Sequence, residues 1–235
     1  MRKSHADTSD PGRLLLLDLD GTLVDTAEGL LACVNRMLSG RGLAPIGLAD
    51  IRAMIGDGIA ALVRRALAFR GAPFDETALV AFAADYERSA ADHAPLFPGI
   101  QTMLGRALQD GWRLAVCTNK PVGATRTLLG SLGIAHLFAA IGGGDSFPVR
   151  KPDPEHVRLT MLEAGCVPER SVMLGDHRND IQAATGAGIS AIFAAWGYGA
   201  PGMSNGAAAI AETPEAVPAI AARILASAPF KGRAG

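Results

Sequence analysis

The sequence lacks the features that mark several broad classes of protein. Its 22 basic and 23 acidic residues give a formal net charge of -1, so no excess of one sign points to nucleic acid or a membrane surface as a partner. The first apolar run, residues 14–17, is too short for a signal-peptide core or a membrane span. Cys33, Cys117 and Cys166 form no CxxC pair, which argues against a disulfide framework or a zinc knuckle and favours a reducing cytoplasm.

What the sequence does contain is enough apolar material for a core. Hydrophobic residues make up 49% of the 235 residues, which suits one domain or a domain with an insertion and excludes a disordered or fibrous chain. Residues 1–12 are predicted to form a flexible tail. Near the other end, Thr213 and Pro214 predict the start of a last helix, and the Gly- and Ala-rich residues 197–209 are predicted to form only a loop.

Short, continuous apolar runs recur along the chain. They do not alternate with polar residues, so they suit strands covered on both faces, as in a parallel sheet. They occupy residues 14–17, 113–117, 171–174 and 189–194, with a weaker run at 137–141. Apolar residues at helical spacing separate them, as at Ile100, Met103, Leu104, Ala107 and Leu108. This alternation predicts a doubly wound α/β fold with a parallel sheet, in which ligands collect at the carboxyl ends of the strands.

One long segment, residues 27–96, breaks this alternation. It contains three stretches with helical apolar spacing and no apolar strand between them. The last of the three is predicted to bury a face made of Leu79, Val80, Ala83 and Tyr86. We therefore predict an inserted helical cap over residues 27–96, with residues 13–26 and 97–235 forming the α/β core.

Polar side chains gather where the predicted strands end. Four clusters share this position, and they consist of Asp18 and Asp20; Thr118, Asn119 and Lys120; Lys151; and Asp176 with Asp180. Because the carboxyl ends of parallel strands meet at one edge of a sheet, these clusters are predicted to form one pocket. Thr118 and Asn119 also suit a helix N-cap, since Pro121 follows at a first-turn position.

The chemistry of this predicted pocket follows from its carboxylates. Four crowded carboxylates repel one another unless a cation joins them, and hard oxygen ligands favour Mg²⁺. Asp18 and Asp20 flank Leu19, so in extended backbone they point to one side, where one could attack a substrate while the other handles protons. Gly21 and Thr22 are predicted to form a turn whose backbone N–H groups approach an anion.

Four ordered motifs carry a resemblance to a known family. "DLDGTLVDT", "TNKP", "KPDP" and "GDHRND" resemble the motifs of the haloacid-dehalogenase superfamily, over residues 14–194. Within it, "TNKP", the cap segment "IGDGIAALVRRAL" and "GDHRNDIQAA" are most similar to bacterial phosphoglycolate phosphatases. His177 departs from the pattern, because relatives often carry Ser there.

The resemblance implies a role for each motif residue. Asp18 would be the nucleophile that forms an aspartyl-phosphate, and Asp20 the general acid and base. Asp18, the backbone carbonyl of Asp20, and Asp176 would hold Mg²⁺. Thr118 and the Asn119 N–H would bind phosphoryl oxygens, and Lys120 would contact substrate. Lys151 would offset the negative charge of Asp18 and of the phosphate. Asp180 would position Lys151 or a metal-bound water.

Several residues allow more than one interpretation. Residues 56–58 (Gly-Asp-Gly) form either a loop that reaches over the site or a helix-start turn. Arg64 and Arg65 could bind a substrate carboxylate, although a solvated helix face is the favoured interpretation. His177 is expected to be an exposed loop histidine rather than a phosphate contact, and Cys117 is expected to pack in a buried strand rather than react.

These expectations define a function. The chain is predicted to be a cytoplasmic, Mg²⁺-dependent phosphatase for a small phosphomonoester, with 2-phosphoglycolate the best single substrate, acting as a monomer or homodimer without nucleic-acid or membrane partners. A phosphosugar mutase or an inorganic pyrophosphatase built on the same core remains an alternative, as does a non-catalytic binding protein. A dehalogenase is disfavoured, because cleaving a carbon–halogen bond needs no acid for a leaving alkoxide, which is the role Asp20 would fill.

Overall fold

The computed structural model describes residues 12–89 and 94–227. At its centre is a six-stranded parallel sheet in the order β3-β2-β1-β4-β5-β6. The strands are β1 (Arg13–Leu17), β2 (Trp112–Cys117), β3 (Ala140–Gly142), β4 (Ser171–Gly175), β5 (Ser190–Ala194) and β6 (Ala209–Ala211). The predicted doubly wound parallel sheet is confirmed. Of the predicted tail, only Gly12 lies within the described residues.

The central strand β1 shows why continuous apolar runs form this sheet. Its four leucines are all fully buried. Leu15 and Leu17 pack into the hydrophobic cluster on one face, and Leu14 and Leu16 pack into the cluster on the other. Since successive side chains in a strand point to opposite faces, a strand covered on both sides must be apolar at every position.

Helices cover both faces of the sheet. They are α5 (Ile100–Gln109), α6 (Val122–Ser131), α7 (Pro154–Glu163), α8 (Arg178–Ala187) and α9 (Val217–Ser227). Thr213 begins a short 3-10 turn, Pro214–Ala216, without a side-chain cap, and α9 starts only after it. Within the described ranges, no helix is long and apolar enough to cross a membrane.

In the described part of residues 27–96, the cap consists of four helices: α1 (Ala27–Ser39), α2 (Leu48–Arg52), α3 (Ile59–Phe69) and α4 (Glu76–Ser89). They share a hydrophobic cluster that is separate from the two sheet clusters. On α4 the buried residues are Ala78, Phe82 and Tyr86, whereas Val80 is 67% exposed. The prediction that Val80 lies on the buried face was wrong. Ala78, Phe82 and Tyr86 are spaced four apart and share one face of α4, and burying this face removes two large aromatic side chains from water.

Two segments of the chain, around residues 23–25 and 95–97, run side by side and connect the core to the cap. The Asp25 N–H donates to Pro95 O at 2.9 Å, and the Phe97 N–H donates to Leu23 O at 3.1 Å. Val24 and Leu96 form an antiparallel bridge between these bonds. The cap therefore rests on a two-stranded connection that starts within a few residues of Asp18 and Asp20.

Candidate active site

The loops after β1, β2, β3 and β4 bring the predicted site residues together. Asp18 follows the last residue of β1, and its N–H donates to Leu174 O of β4 at 2.9 Å. One cavity is lined from the core by Asp18, Asp20, Thr118, Asn119 and Lys120. Asp18, Asp176 and Asp180 each present a carboxylate oxygen within 4.8 Å of the other two. The expected pocket at the carboxyl edge of the sheet is present.

Lys151 stands at the centre of the charged groups. Its Nζ lies 2.9 Å from Asp18 Oδ1 and 2.5 Å from Asp180 Oδ1, and it donates to Cys117 O at 2.6 Å. Burial lowers the pKa of Lys151, but the negative charges of Asp18 and Asp180 raise it more, so the net pKa is above the ordinary value. Lys151 is therefore a permanent cation that touches the predicted nucleophile.

The carboxylates are short of positive charge. Asp18, Asp20, Asp176 and Asp180 are faced by the two ammonium groups of Lys120 and Lys151, which leaves two formal negative charges. Burial, followed by the charge of Asp180, raises the pKa of Asp18 to about 6. Burial, followed by the charges of Asp18 and Asp180, raises the pKa of Asp176 to about 8. A buried all-oxygen group with this imbalance suits a hard divalent cation such as Mg²⁺.

The turn after β1 differs from the prediction. The Gly21 N–H donates to Val24 O and the Thr22 N–H donates to Leu19 O, so both donors are used inside the turn and neither is free for an anion. Thr22 instead donates its hydroxyl to Asp176 Oδ1 at 3.0 Å. Gly21 has φ +82°, and a Cβ there would collide with the Asp176 carboxylate. The two residues therefore seat Asp176 rather than bind phosphate.

Asp20 faces a lysine that the cap covers. Lys120 Nζ lies 3.1 Å from Asp20 Oδ1 and 4.3 Å from the centre of the Tyr86 ring. The Lys120 side chain is 1% exposed and that of Asp20 is 16% exposed. Lys120, predicted to contact substrate, thus also holds the carboxylate that is predicted to act as acid and base.

Thr118 and Asn119 lie on the floor of the cavity. The Thr118 hydroxyl accepts from the Lys120 N–H at 3.3 Å. The Asn119 amide donates to Lys151 O and to Gly56 O, each at 2.9 Å. Neither residue caps α6, whose N-cap is Pro121 without a side-chain hydrogen bond, so the N-cap prediction was wrong. The Asn119 side chain is already used between two loops.

For residues 56–58 the sequence left two alternatives, a loop over the site and a helix-start turn, and the structure shows both. The Gly56 carbonyl also accepts from Asn179 Nδ2 at 3.3 Å, and Asn179 donates to Asp57 Oδ1 at 2.6 Å. Gly58 is at the same time the N-cap of α3. The loop therefore reaches over the site and starts a helix, and two amide side chains of the core hold it.

His177 is not an exposed loop residue. It is the N-cap of α8, where its Nδ1 accepts from the Asn179 N–H at 3.2 Å. Its own N–H donates to Asp180 Oδ2 at 3.0 Å, which leaves Asp180 Oδ1 directed at Lys151. A Cβ on Gly56 would lie 2.7 Å from the His177 ring, so the ring packs against the cap loop. The expectation failed because the local sequence does not reveal where the cap loop lands.

The segment around residues 196–198, at the start of the predicted plain loop, supports the site. The Tyr198 N–H donates to Asp176 Oδ2 at 2.7 Å, and the Tyr198 hydroxyl donates to Asp25 Oδ1 at 2.7 Å. Trp196 Nε1 donates to Thr22 O at 2.9 Å. Two aromatic residues spaced two apart in a glycine-rich stretch were the available signal. Through Tyr198, this loop links Asp176 to Asp25, which directly precedes the cap.

His156 was also missed, and it supports Lys151 from behind. It is fully buried, and its Nδ1 accepts from the Lys151 N–H at 3.2 Å. Burial and the nearby charge of Lys151 lower the pKa of His156 to about 4. His156 is therefore neutral at physiological pH and fixes the backbone that presents the lysine.

The other candidates have structural roles. The Arg64 guanidinium lies 4.7 Å from the centre of the Phe74 ring, and Arg65 is paired with Asp57 and donates to Met54 O. Neither arginine lines the cavity. Burial raises the pKa of the Cys117 thiol to about 12, which leaves it protonated and packed in the core, as expected.

Comparison with known proteins places the chain in a family. The family model described as haloacid dehalogenase-like hydrolase matches residues 15–194. Phosphoglycolate phosphatase from Cereibacter sphaeroides is 40% identical over 189 residues, which cover 78% of this chain and 85% of that protein.

Two solved structures share the fold. A predicted phosphoglycolate phosphatase from Haemophilus somnus superposes with a TM-score of 0.82 at 27% identity, over 90% of this chain and 99% of that one. CbbY from Rhodobacter sphaeroides in complex with phosphate superposes with a TM-score of 0.74 at 26% identity, over 87% of this chain and 95% of that one. The chain belongs to the haloacid dehalogenase-like hydrolase family.

Proposed function

We propose that this phosphoric monoester hydrolase is Mg²⁺-dependent and converts 2-phosphoglycolate to glycolate and phosphate through an aspartyl-phosphate on Asp18. The observation that carries the proposal is the buried contact between Asp18 and Lys151, with Asp20 two residues away beside Lys120. A carboxylate beside a fixed ammonium can receive a dianionic phosphoryl group, because the cation offsets the repulsion between the two anions. A second carboxylate within the same cavity can then serve the leaving group.

The chain's own residues account for both half-reactions. An oxygen of Asp18 attacks phosphorus while Asp20 gives a proton to the departing oxygen of the ester. In the second half-reaction Asp20 takes a proton from the water that attacks the aspartyl-phosphate. Lys151 stays protonated throughout, because Asp18 and Asp180 keep its pKa above the ordinary value. Asp180 fixes the ammonium at 2.5 Å and so keeps it directed at Asp18.

The metal proposal rests on the excess negative charge. Asp18, Asp176 and the backbone carbonyl of Asp20 would hold Mg²⁺. When bound, it would supply two positive charges that favour ionised carboxylates and help offset the phosphate charge. Thr22 and the Tyr198 N–H both bond to the Asp176 carboxylate and would orient it for this role.

The substrate proposal rests on the relatives and on the mostly apolar cap side of the cavity. The relative from Cereibacter sphaeroides is named for phosphoglycolate. On the cap side the cavity is lined mainly by Leu30, Ile55, Ile59 and Leu62, whose side chains offer no hydrogen bonds to a sugar rich in hydroxyl groups. A short leaving group suits these walls better than a polyol does.

The test is a turnover assay on purified protein with a panel of phosphate esters, ranked by kcat/KM. The panel should contain 2-phosphoglycolate, sugar phosphates, inorganic pyrophosphate and p-nitrophenyl phosphate, each with Mg²⁺ and with EDTA. We expect 2-phosphoglycolate to rank first, EDTA to abolish turnover, and Asp18→Asn to be inactive toward every ester. A higher rank for a sugar phosphate or for pyrophosphate, or full activity in EDTA, would refute the proposal in that part.

A further inference from the structure

On the cap side of the cavity above Asp18 lie polar groups for which the described residues supply no side-chain partner. Most of that side is apolar, as described above. Two features differ from it: the start of α3, at Gly58 and Ile59, and the side chain of Tyr86. Both lie across the cavity from the core residues Asp18 and Thr118.

The first feature is a helix N-terminus without a cap. Gly58 is the N-cap of α3, it has no side chain to accept a hydrogen bond, and the first turn of α3 has no acidic residue. The first N–H groups of an α-helix have no partner within the helix, and they carry roughly half a positive charge together. Gly58 has φ +85°, and a Cβ there would lie 3.3 Å from Asn119 O, so glycine lets this helix end approach the loop that contains Thr118 and Asn119.

The second feature is an unpartnered hydroxyl. Tyr86 is 3% exposed, and within the part of the chain that the structure describes its Oη forms no hydrogen bond. A buried tyrosine hydroxyl normally finds a partner, because leaving it without one costs free energy. The Tyr86 ring also stacks on Phe82, at 5.7 Å between ring centres, and covers Lys120, so its position is fixed from both sides.

We propose that the uncapped first turn of α3 and the Tyr86 hydroxyl together bind a carboxylate on the leaving group, and so select phosphate esters that carry a short carboxylic acid. The helix end supplies N–H donors, the Tyr86 hydroxyl can donate its proton as well, and the nearby ammonium of Lys120 adds positive charge. A carboxylate accepts from such donors and matches their charge, whereas a neutral hydroxyl gains little from them. The inference rests on the proposed phosphatase function and deepens it.

Other cations of the cap fit this role less well. Arg64 and Arg65 do not line the cavity, and each has a partner within the cap. Arg52 lines a neighbouring cavity that also reaches Asp20, but its guanidinium lies 3.7 Å from Asp25 and stacks on Tyr198. Arg52 is therefore a rival that the experiment must include.

The experiment compares two substrates of equal length. 2-Phosphoglycolate carries the carboxylate, and 2-hydroxyethyl phosphate carries a hydroxymethyl group in its place. Tyr86→Phe removes one oxygen and keeps the ring over Lys120. We expect its kcat/KM for 2-phosphoglycolate to fall by about 10- to 100-fold, the effect of a lost hydrogen bond to a charged group, with a change below about twofold for 2-hydroxyethyl phosphate.

A second variant tests the helix end. Proline is tolerated at the first helical position and lacks the N–H, so Ile59→Pro removes one donor while leaving the helix geometry intact. We expect the same selective loss, with an unchanged circular dichroism spectrum. Arg64→Ala, on the exposed face of the same helix, is the matched control and should change neither substrate by more than about twofold.

The outcomes separate this inference from the proposed function. If the wild-type protein hydrolyses neither ester, the phosphatase proposal fails first. If it hydrolyses both esters equally well, or if Tyr86→Phe lowers both to the same extent, the carboxylate site is wrong while the phosphatase stands. A selective loss in Arg52→Ala with none in Tyr86→Phe would move the carboxylate to the neighbouring cavity and overturn the inference.

Discussion

Lys120 Nζ lies 3.1 Å from Asp20 Oδ1, in a contact that the cap residue Tyr86 covers. The lysine thus joins the proposed general acid and base to the closed cap. An ammonium with almost no exposure holds a carboxylate in one orientation, because rotating the carboxylate away would leave a buried charge without its partner. Asp20 is therefore oriented by Lys120, and Lys120 is buried only when Tyr86 of the cap covers it.

The first prediction concerns this contact. Lys120→Met keeps the length of the side chain and removes the charge, so Asp20 loses its fixed orientation. We expect kcat to fall by about 10- to 100-fold for every ester, the range of a lost hydrogen bond between charged groups. Arg126→Met on the exposed side of α6 is the control and should keep wild-type kcat in the same assay. A Lys120→Met enzyme with wild-type kcat would show that the contact does not orient the acid.

The second prediction concerns the closure of the cap. Asn179→Ala removes the bonds to Gly56 O and Asp57 Oδ1, which join the core to the cap loop. We expect the closed state to lose roughly 1–3 kcal/mol, measured as a drop of about 5- to 150-fold in kcat/KM.

The matched control for cap closure is Asn35→Ala. Asn35 also bonds to backbone, at Ile46 N and O, but both partners lie within the cap. We expect it to lower the free energy of unfolding and to leave kcat/KM near the wild-type value. Equal kinetic losses in the two variants would show that the Asn179 bonds matter for stability rather than for closure.

Much of this architecture could be predicted because it depends on local pattern. Four of the six strands are marked by apolar runs, since burial on both faces demands apolar residues at every position. Asp18, Asp20, Lys151 and Asp176 could be placed because they directly follow strands or lie in short loops after them. The strand β6 and the helix α7 were missed: β6 has three residues in an Ala-rich stretch, and α7 has too few apolar residues to show a helical period.

What could not be predicted depends on contacts between distant parts of the chain. Tyr86 covers Lys120, which lies 34 positions later in the chain. Nothing in the local sequence shows this contact, or that the Tyr86 hydroxyl forms no hydrogen bond within the described residues. His177 and Asn179 contact residues 56 and 57, over 100 positions earlier in the chain. The turn at Gly21 and Thr22 looked free to bind an anion, because a sequence does not show which N–H groups the turn itself uses.

The third prediction concerns pH and stability. The pKa of His156 is about 4 in the folded protein against an ordinary value of 6.5, so the unfolded chain binds the proton more readily. The free energy of unfolding should therefore fall as the pH falls from about 6.5 to about 4, by roughly 3 kcal/mol from this group.

The measurement for His156 is urea unfolding at pH 6.5 and pH 4.5. His156→Gln keeps an acceptor for the Lys151 N–H and cannot titrate. We expect its free energy of unfolding to fall less over this interval than that of the wild-type protein, by roughly 2–3 kcal/mol. Parallel losses in the two proteins would show that His156 is not the neutral, buried support described above.

The double role of Asp20 gives the most direct test of the mechanism. In Asp20→Asn the first half-reaction should survive for p-nitrophenyl phosphate, whose leaving group needs no proton, while the attack of water on phosphorylated Asp18 should slow by about 10²–10⁴-fold. The phosphoryl group should then accumulate on Asp18. 2-Phosphoglycolate should give no comparable accumulation, because departure of its alkoxide also needs the acid.

The deciding measurement is a rapid-mixing assay of Asp20→Asn with p-nitrophenyl phosphate and Mg²⁺, with Asp18→Asn/Asp20→Asn as the control. The account predicts a burst of p-nitrophenol close to one equivalent per enzyme, followed by slow turnover, and no burst in the double variant. Slow release from the first turnover with no burst, or a burst that persists without Asp18, would contradict Asp18 as the nucleophile and Asp20 as its acid and base.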